Sequence, residues 1–247
     1  MLYLLRVGVD KTYGGFHSPI FKDDLSYLFI PIPDKNVLEG KSITYSKYKW
    51  NNKSVLPYIP SKLASNTIHN DPEFNTCTYG SPKYNKNNNI EKNYNKLIKL
   101  KRNDLLVFYA AFSNKLEDRN DSISGLYFFA YFVIDGIIKY RTPESIREDQ
   151  KKLISSNHHY IHEWNNQVIV VGNRKKSRVF EKTVLLSSEQ YDRKVSNYYP
   201  CPKIKKALGG YHKSMNFSSF REFNSHSISK EFKEYLDKNS GKNILIT

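Results

Sequence analysis

The stretch HNDPEFNTCTYG, residues 69–80, crowds His69, Asp71, Glu73, Thr78 and Tyr79 together with little apolar periodicity. Carboxylates and hydroxyls in one polar loop are the groups that acid/base chemistry on a bound nucleobase would use. The same letters also make turns: Asn70-Asp71-Pro72 suits an Asx-turn, and Tyr79-Gly80 closes another. A second acid, Asp10, leaves an apolar run onto a turn with Tyr13, Gly14, Gly15 and His17. A carboxylate held rigidly there suits a general base or an ion-pairing stabiliser. Cleavage of an N-glycosidic bond builds positive charge on the sugar, which a nearby carboxylate stabilises or supplies with water. Asp10, Asp71 and Glu73 are therefore the candidate catalytic acids. The plainer role for Asp10 is to cap its turn by accepting the Thr12 or Tyr13 amide.

Two further clusters carry charge or ring nitrogens. In HHYIHEW, His158 or His159 with His162 has the spacing of two metal ligands on a helix or turn, a third having to come from Cys77, Asp71 or Cys201. Two histidines do not demand a metal, and none is assigned. Phosphate contact by His158 and His159, or base stacking, is the adopted reading, against the alternative that Tyr160, Ile161 and Trp164 pack the core. In GNRKKSR, Arg174, Lys175, Lys176, Ser177 and Arg178 follow a strand end and suit backbone phosphates. One glycine and no GKS or GKT ending rule out a nucleotide-triphosphate loop. The alternative is a solvated hairpin turn whose lysines blunt a sheet edge.

Composition frames these clusters. Lys and Arg number 39 against 24 Asp and Glu, a formal charge of +15, which points to a polyanion such as nucleic acid. A bias toward AT-rich codons would also inflate Lys and Asn. Two cysteines exclude a disulfide scaffold and a four-cysteine zinc site. No run approaches a membrane span, and no signal peptide is read at the N-terminus, so a cytoplasmic protein without membrane partners is expected. The absence of dinucleotide, nucleotide-triphosphate and methyl-donor motifs leads to the expectation of no cofactor.

The elements that must position these residues follow from hydrophobic pattern. Residues 2–9 and 27–32 read as strands, the second closed by Pro31 and Pro33. Apolar spacing predicts helices over 90–99 and 229–237, and Thr142-Pro143-Glu144 starts a helix running to about Ile154. LLVFYAAF (105–112) and GLYFFAYFVID (125–135) are strands buried on both faces. QVIVVG (167–172) and 178–186 are strands around the basic turn, and 203–208 is a helical turn ended by Gly209 and Gly210. Tyr109, Phe112, Tyr127 and Tyr131 lie on strands, where one or two could line a pocket for a flipped base. The expected architecture is one α+β domain over 1–247, built around a strongly curved, mostly antiparallel sheet.

The central strand pair resembles that of PUA-like domains, the group including the EVE, YTH and ASCH families. That resemblance implies a small barrel that holds a nucleic-acid base. Gly8-Val9-Asp10-Lys11-Thr12-Tyr13 is similar to the G-Q-D-P-Y of uracil-DNA glycosylases, with the tyrosine one residue further on. RVGVDKTYGG, SPIF, FIPIPD, HNDPEFNTCTYG, DLLVFYAAF, GLYFFAYF and VVGNRKKSRVFEKTVLLSS, in that order, resemble the nucleotide-modification-associated domain family, third subtype. The resemblance implies an association with modified DNA bases. The reading is an enzyme that flips a modified base into a pocket of Tyr13, His17, Thr78, Tyr79 and Tyr109 and hydrolyses its N-glycosidic bond, as in phage defence. The alternatives are a non-catalytic reader and an enzyme that covalently elaborates the base.

Overall fold

The computed structural model describes residues 1–9, 15–34, 42–85, 87–114, 124–192, 195–215 and 220–245, with the backbone alone at 188–192 and 195–197. In chain order the strands begin with β1 (Leu2–Arg6), β2 (Ser18–Pro19), β3 (Ile32–Pro33), β4 (Lys49–Trp50), β5 (Lys53–Ser54), β6 (Ile68–His69) and β7 (Thr78–Pro82). Helix α1 (Lys92–Leu97) precedes the long β8 (Leu105–Ser113) and β9 (Ser124–Tyr140). Helices α2 (Glu148–Ile154) and α3 (His158–Ile161) lead to β10 (Gln167–Gly172), β11 (Arg178–Asp192) and β12 (Val195–Tyr198). Helix α4 (Pro202–Ala207), β13 (Phe220–Phe223) and α5 (His226–Asn239) complete the order.

Apolar alternation builds the centre. β8 is buried along its whole length and sends Leu106, Phe108, Ala110 and Phe112 into one hydrophobic layer. Its other face sends Leu105, Val107, Tyr109 and Ala111 into a second layer under α4 and α5. A strand covered on both faces reads as a continuous apolar run, which is what LLVFYAAF is. The main sheet runs β12-β11-β9-β8-β1-β13. It is mostly antiparallel, although β1 and β2 both pair with β8 in parallel. Its path is open: among the described residues the strands do not close into the barrel expected from the PUA-like pattern. β9 is shared between partners: its first half pairs with β8 and β11, and its second half, Gly136–Tyr140, pairs with β10.

Two other expectations change. Residues 28–31 are buried but belong to no strand; only Tyr27 forms an isolated bridge, to Ile20, and β3 is two residues long. Pro31 and Pro33 lack the N–H a longer ladder needs. The helix expected from Thr142 is a 3-10 turn over Pro143–Ser145, an extended Ile146, and then α2. Ile146 is buried with Ile138, Tyr140, Ile154, Ile169 and Val171, and this packing outweighs helix continuation.

The C-terminal helix is fastened by both apolar and charged contacts. Phe232 and Leu236 are buried. Asp237 accepts hydrogen bonds from the Tyr131 hydroxyl at 2.8 Å, Arg178 Nη1 at 2.7 Å and Lys233 Nζ at 2.6 Å. Burial alone would raise the Asp237 carboxyl, but the Lys233, Tyr131 and Arg178 donors outweigh it and hold it below the usual range. A carboxyl depressed in the folded state stabilises above its unfolded value, about 3.9, and that contribution is lost as pH falls through the folded value. Asp237→Asn should therefore cost about 1–3 kcal/mol near neutrality. The gap from wild type, measured by urea unfolding, should narrow as the solution is acidified. An equal gap at pH 7 and in strong acid would rule out the charge as its source.

Candidate functional site

Pairing of two very short strands begins the site. β3 and β6 run antiparallel with Ile32 opposite His69, and the Asp34 amide donates to Thr67 O at 2.9 Å. Asp34 and His69 thus emerge side by side. The chain then turns, the Asp71 amide bonding His69 O at 2.9 Å, and the Asp71 carboxylate accepts the Gly80 amide of β7, both oxygens at 3.1 Å. Helix α3 supplies the other side. Asn157 caps it by accepting the His159 amide at 3.1 Å and ties it to β7 by donating to Thr78 Oγ1 at 3.0 Å. His158 and His162, one helical turn apart, face the same way.

These elements assemble a cluster of imidazoles and carboxylates. Asp34 Oδ2 lies 2.9 Å from His158 Nε2 and 3.4 Å from His162 Nε2. Asp71 Oδ2 lies 3.3 Å from His159 Nε2 and 3.9 Å from His69 Nε2. His69 stands between the halves, its ring 4.0 Å from that of His158 and 5.0 Å from that of His159. Trp164, half-buried, lies against all four histidine rings. Burial chiefly, reinforced by the imidazoles of His159, His158 and His162, holds His69 well below the usual histidine range. Burial also pushes the Asp71 carboxyl up, against hydrogen bonds from His159 and the Gly80 amide. Two groups, Asp34–His69–His158 and His69–Asp71–His159, have donor atoms close enough to share an ion. A cavity of about 40 Å³ adjoins the first of them, lined in part by His158, His162, Ile68 and Asn70. That holds a water molecule, not a base.

The sequence-derived candidates distribute unevenly. Asp71 joins the cluster. His158 and His159 turn inward to the carboxylates, being 6% and 3% exposed, instead of outward toward a strand backbone. The carboxylate shared by His158 and His162 is Asp34, which the sequence reading did not offer, while Asp71 meets His159 and His69; Cys77 joins neither donor group, and burial pushes its thiol up to about 12. Glu73 serves its own turn: its backbone pairs with Thr78, and its carboxylate accepts the Asn75 and Thr76 amides at 2.7 and 2.8 Å and the Thr76 hydroxyl. Thr78 is buried under Asn157. Tyr79 packs on Phe108 in the first hydrophobic layer, whereas Tyr109 is buried in the second, across the sheet. His17 precedes β2, which pairs with the Phe112–Ser113 end of β8, beside Ser124 and Gly125 at the start of β9. On the cluster's side, β7 pairs instead with β10, and β10 with the far end of β9. Asp10 and Tyr13 lie outside the described residues.

Asp34, His69 and His162 were not among the sequence-derived site residues. His162 carried a signal in its spacing from His158, and His69 in its polar neighbourhood. Asp34 carried none, because only the two-residue β3–β6 pairing brings it there.

The basic turn lies elsewhere. Ser177 is buried, its hydroxyl accepting the Val133 amide at 3.1 Å, and Arg178 is committed to Asp237 and to Gly241 O. Arg174, Lys175 and Lys176 are exposed. Lys175, Lys176 and Arg178 line a cleft of about 610 Å³ together with Tyr131, Lys230 and Lys233. This cleft opens at the Gly172 end of β10, while Gln167, which bonds His159, starts the strand, a separation of about 17 Å at about 3.3 Å per residue. Among the described residues, no helix is long and apolar enough to cross a membrane.

Neither a curated protein nor a solved structure matches the chain. A model of the nucleotide modification associated domain 3 family, however, matches residues 2–233, which span the cluster, the basic turn and most of α5. The chain belongs to the nucleotide modification associated domain 3 family.

Proposed function

We propose that the protein holds DNA at the basic cleft beside α5 and acts on a modified nucleobase, hydrolysing its N-glycosidic bond with groups of the histidine–carboxylate cluster. The observation that carries this reading is the cluster itself. Burying two carboxylates among four imidazoles is costly, and apolar packing has no need of it. Family membership supports an association with nucleotide modification. Lys175, Lys176 and Lys230 are exposed cations of the kind that position phosphates. The base must leave the stack to react. Water then adds to the sugar carbon as the base departs with the bonding electron pair and takes up a proton, while a carboxylate offsets the charge on the sugar. Defence against phages carrying modified bases is a setting this activity fits. One observation favours a second reading, a non-catalytic reader of modified bases: the cavity at the cluster is too small for a base.

The experiment is incubation with duplexes carrying a panel of modified bases, followed by alkali. Strand breaks that disappear in Asp71→Asn are the expected result. Tight binding without breaks across the panel would establish the reader instead. Lys175→Glu with Lys176→Glu should weaken binding on every sequence and lower the salt slope by about 2, nearly one for each phosphate no longer neutralised. An unchanged slope would remove the cleft from the interface.

A further inference from the structure

We propose that Asp34, His69, Asp71, His158, His159 and His162 form a binding site for divalent transition-metal ions of the zinc class, with His69 central to it. Donor spacing is the first support. Atoms bound at ~2.0–2.2 Å to one ion stand about 2.9–3.6 Å apart, from right-angled to tetrahedral geometry. Three of the four carboxylate–imidazole distances, 2.9, 3.3 and 3.4 Å, fall in that range, and the fourth is 3.9 Å.

The ring nitrogens supply the second support. Gln167 Nε2 donates to Asn165 O at 2.8 Å, which leaves Oε1 as an acceptor for His159 Nδ1 at 2.9 Å. In the tautomer that donates from Nδ1 to this oxygen, Nε2 turns its lone pair toward Asp71. Nε2 and Asp71 Oδ2 stand 3.3 Å apart, so one ion seated between them is within reach of both. An outer amide that fixes the tautomer is also how proteins orient metal-binding histidines. Asp71 has its own outer partner in the Gly80 amide. In the other half, His158 Nε2 is buried with no hydrogen-bond partner, although Asp34 Oδ2 is 2.9 Å away. An imidazole nitrogen aimed into a carboxylate-lined space without a hydrogen bond is a ligand in waiting.

Charge and ligand type narrow the ion. Two carboxylates balance a divalent cation, and four imidazoles favour zinc, iron, copper or nickel over magnesium or calcium, which prefer oxygen. The adjoining cavity has room for a water on the ion.

The test uses the full chain without nucleic acid, so its outcome is separate from that of the base-modification reading. Protein stripped with a chelator is titrated with Zn²⁺ against a chromogenic chelator and with Co²⁺ under visible spectroscopy. One or two equivalents of Zn²⁺ should bind saturably, and Co²⁺ should give the intense visible bands of a low-coordinate nitrogen and oxygen site. At about a hundredfold excess of free Zn²⁺ over Kd the melting midpoint should rise by about 5–10 °C. His69→Gln with His159→Gln should abolish these signals while His17, His212 and His226 remain as a control for surface binding. Gln167→Ala, which leaves every ligand in place, should weaken Zn²⁺ about 10–100-fold. Wild-type protein that binds no more Zn²⁺ than the double variant, or that leaves Co²⁺ with its aqueous spectrum, would overturn the proposal. Should the double variant not fold, the Co²⁺ spectrum and the Gln167→Ala titration decide the matter alone.

Discussion

Phe74→Ala is expected to cost about 3–5 kcal/mol, as for other fully buried aromatic side chains truncated to alanine. Phe74 is 4% exposed and meets five other aromatic rings: Phe29, Trp50, Phe108, Phe129 and Phe132, with centroids 5.5–6.3 Å apart. These neighbours come from β4, β8, β9 and the buried 28–31 segment, so they cannot collapse together into the space. Against a typical total stability of about 5–15 kcal/mol the loss is a large fraction, equivalent to about 6–20 °C in melting midpoint for a chain of this size. The effect should reach the site as well. Phe74 is the inward peg of the polar loop that carries Asp71 and Glu73, and the Cys77 thiol donates to its carbonyl. Thermal unfolding of Phe74→Ala beside Phe74→Leu measures the cavity's share, because leucine refills part of the volume. A loss below about 1 kcal/mol in the alanine variant would mean that the loop repacks freely and does not anchor the carboxylates.

What could be read from the chain, and what could not, follows from the range of the interactions. β8 and β9 are legible because a strand covered on both faces must be apolar at every position, and LLVFYAAF and GLYFFAYFVID are. α5 is legible because Phe232 and Leu236 repeat at one helical turn and nothing competes with them. The Pro143 helix is not, because Ile146 answers to the buried cluster beneath it and not to its neighbours in sequence. The site is half legible in the same way. The HNDPEF loop and the HHYIHEW turn each announce themselves by density of polar groups. That they meet, with Asp71 against His159, depends on Gly80 and on Asn157 bonding Thr78 across residues 78–157. Density also misleads: Glu73 lies in the same loop and spends its carboxylate on the amides of its own turn. Asp34 sits beyond any local signal, since a two-residue strand has no period to read.

Gly80→Ala is expected to break the cluster without touching any of its polar groups. A Cβ at position 80 would collide with His159 Cδ2 and stand 2.6 Å from Cγ and 3.0 Å from Nε2, well inside contact distance. The imidazole is a rigid ring, and it has no room to retreat. Its Nδ1 is held by Gln167, its backbone amide is bonded to Asn157, and Trp164 packs at 5.1 Å. The backbone at Gly80 does not require positive φ, so the effect of the added methyl is purely steric. Overpacking of this kind costs about 1–3 kcal/mol. To relieve it His159 must swing away from Asp71, which removes one half of the proposed metal site. A double-mutant cycle isolates the cause. His159→Ala clears the space, so adding Gly80→Ala in that background should be nearly neutral, giving a coupling of about 1–3 kcal/mol between the two positions. Zn²⁺ affinity should fall in either single variant and fall no further in the double. Additive losses in stability would mean that the glycine is demanded by something other than the His159 ring, and the close approach of β7 to α3 would no longer explain the residue chosen at position 80.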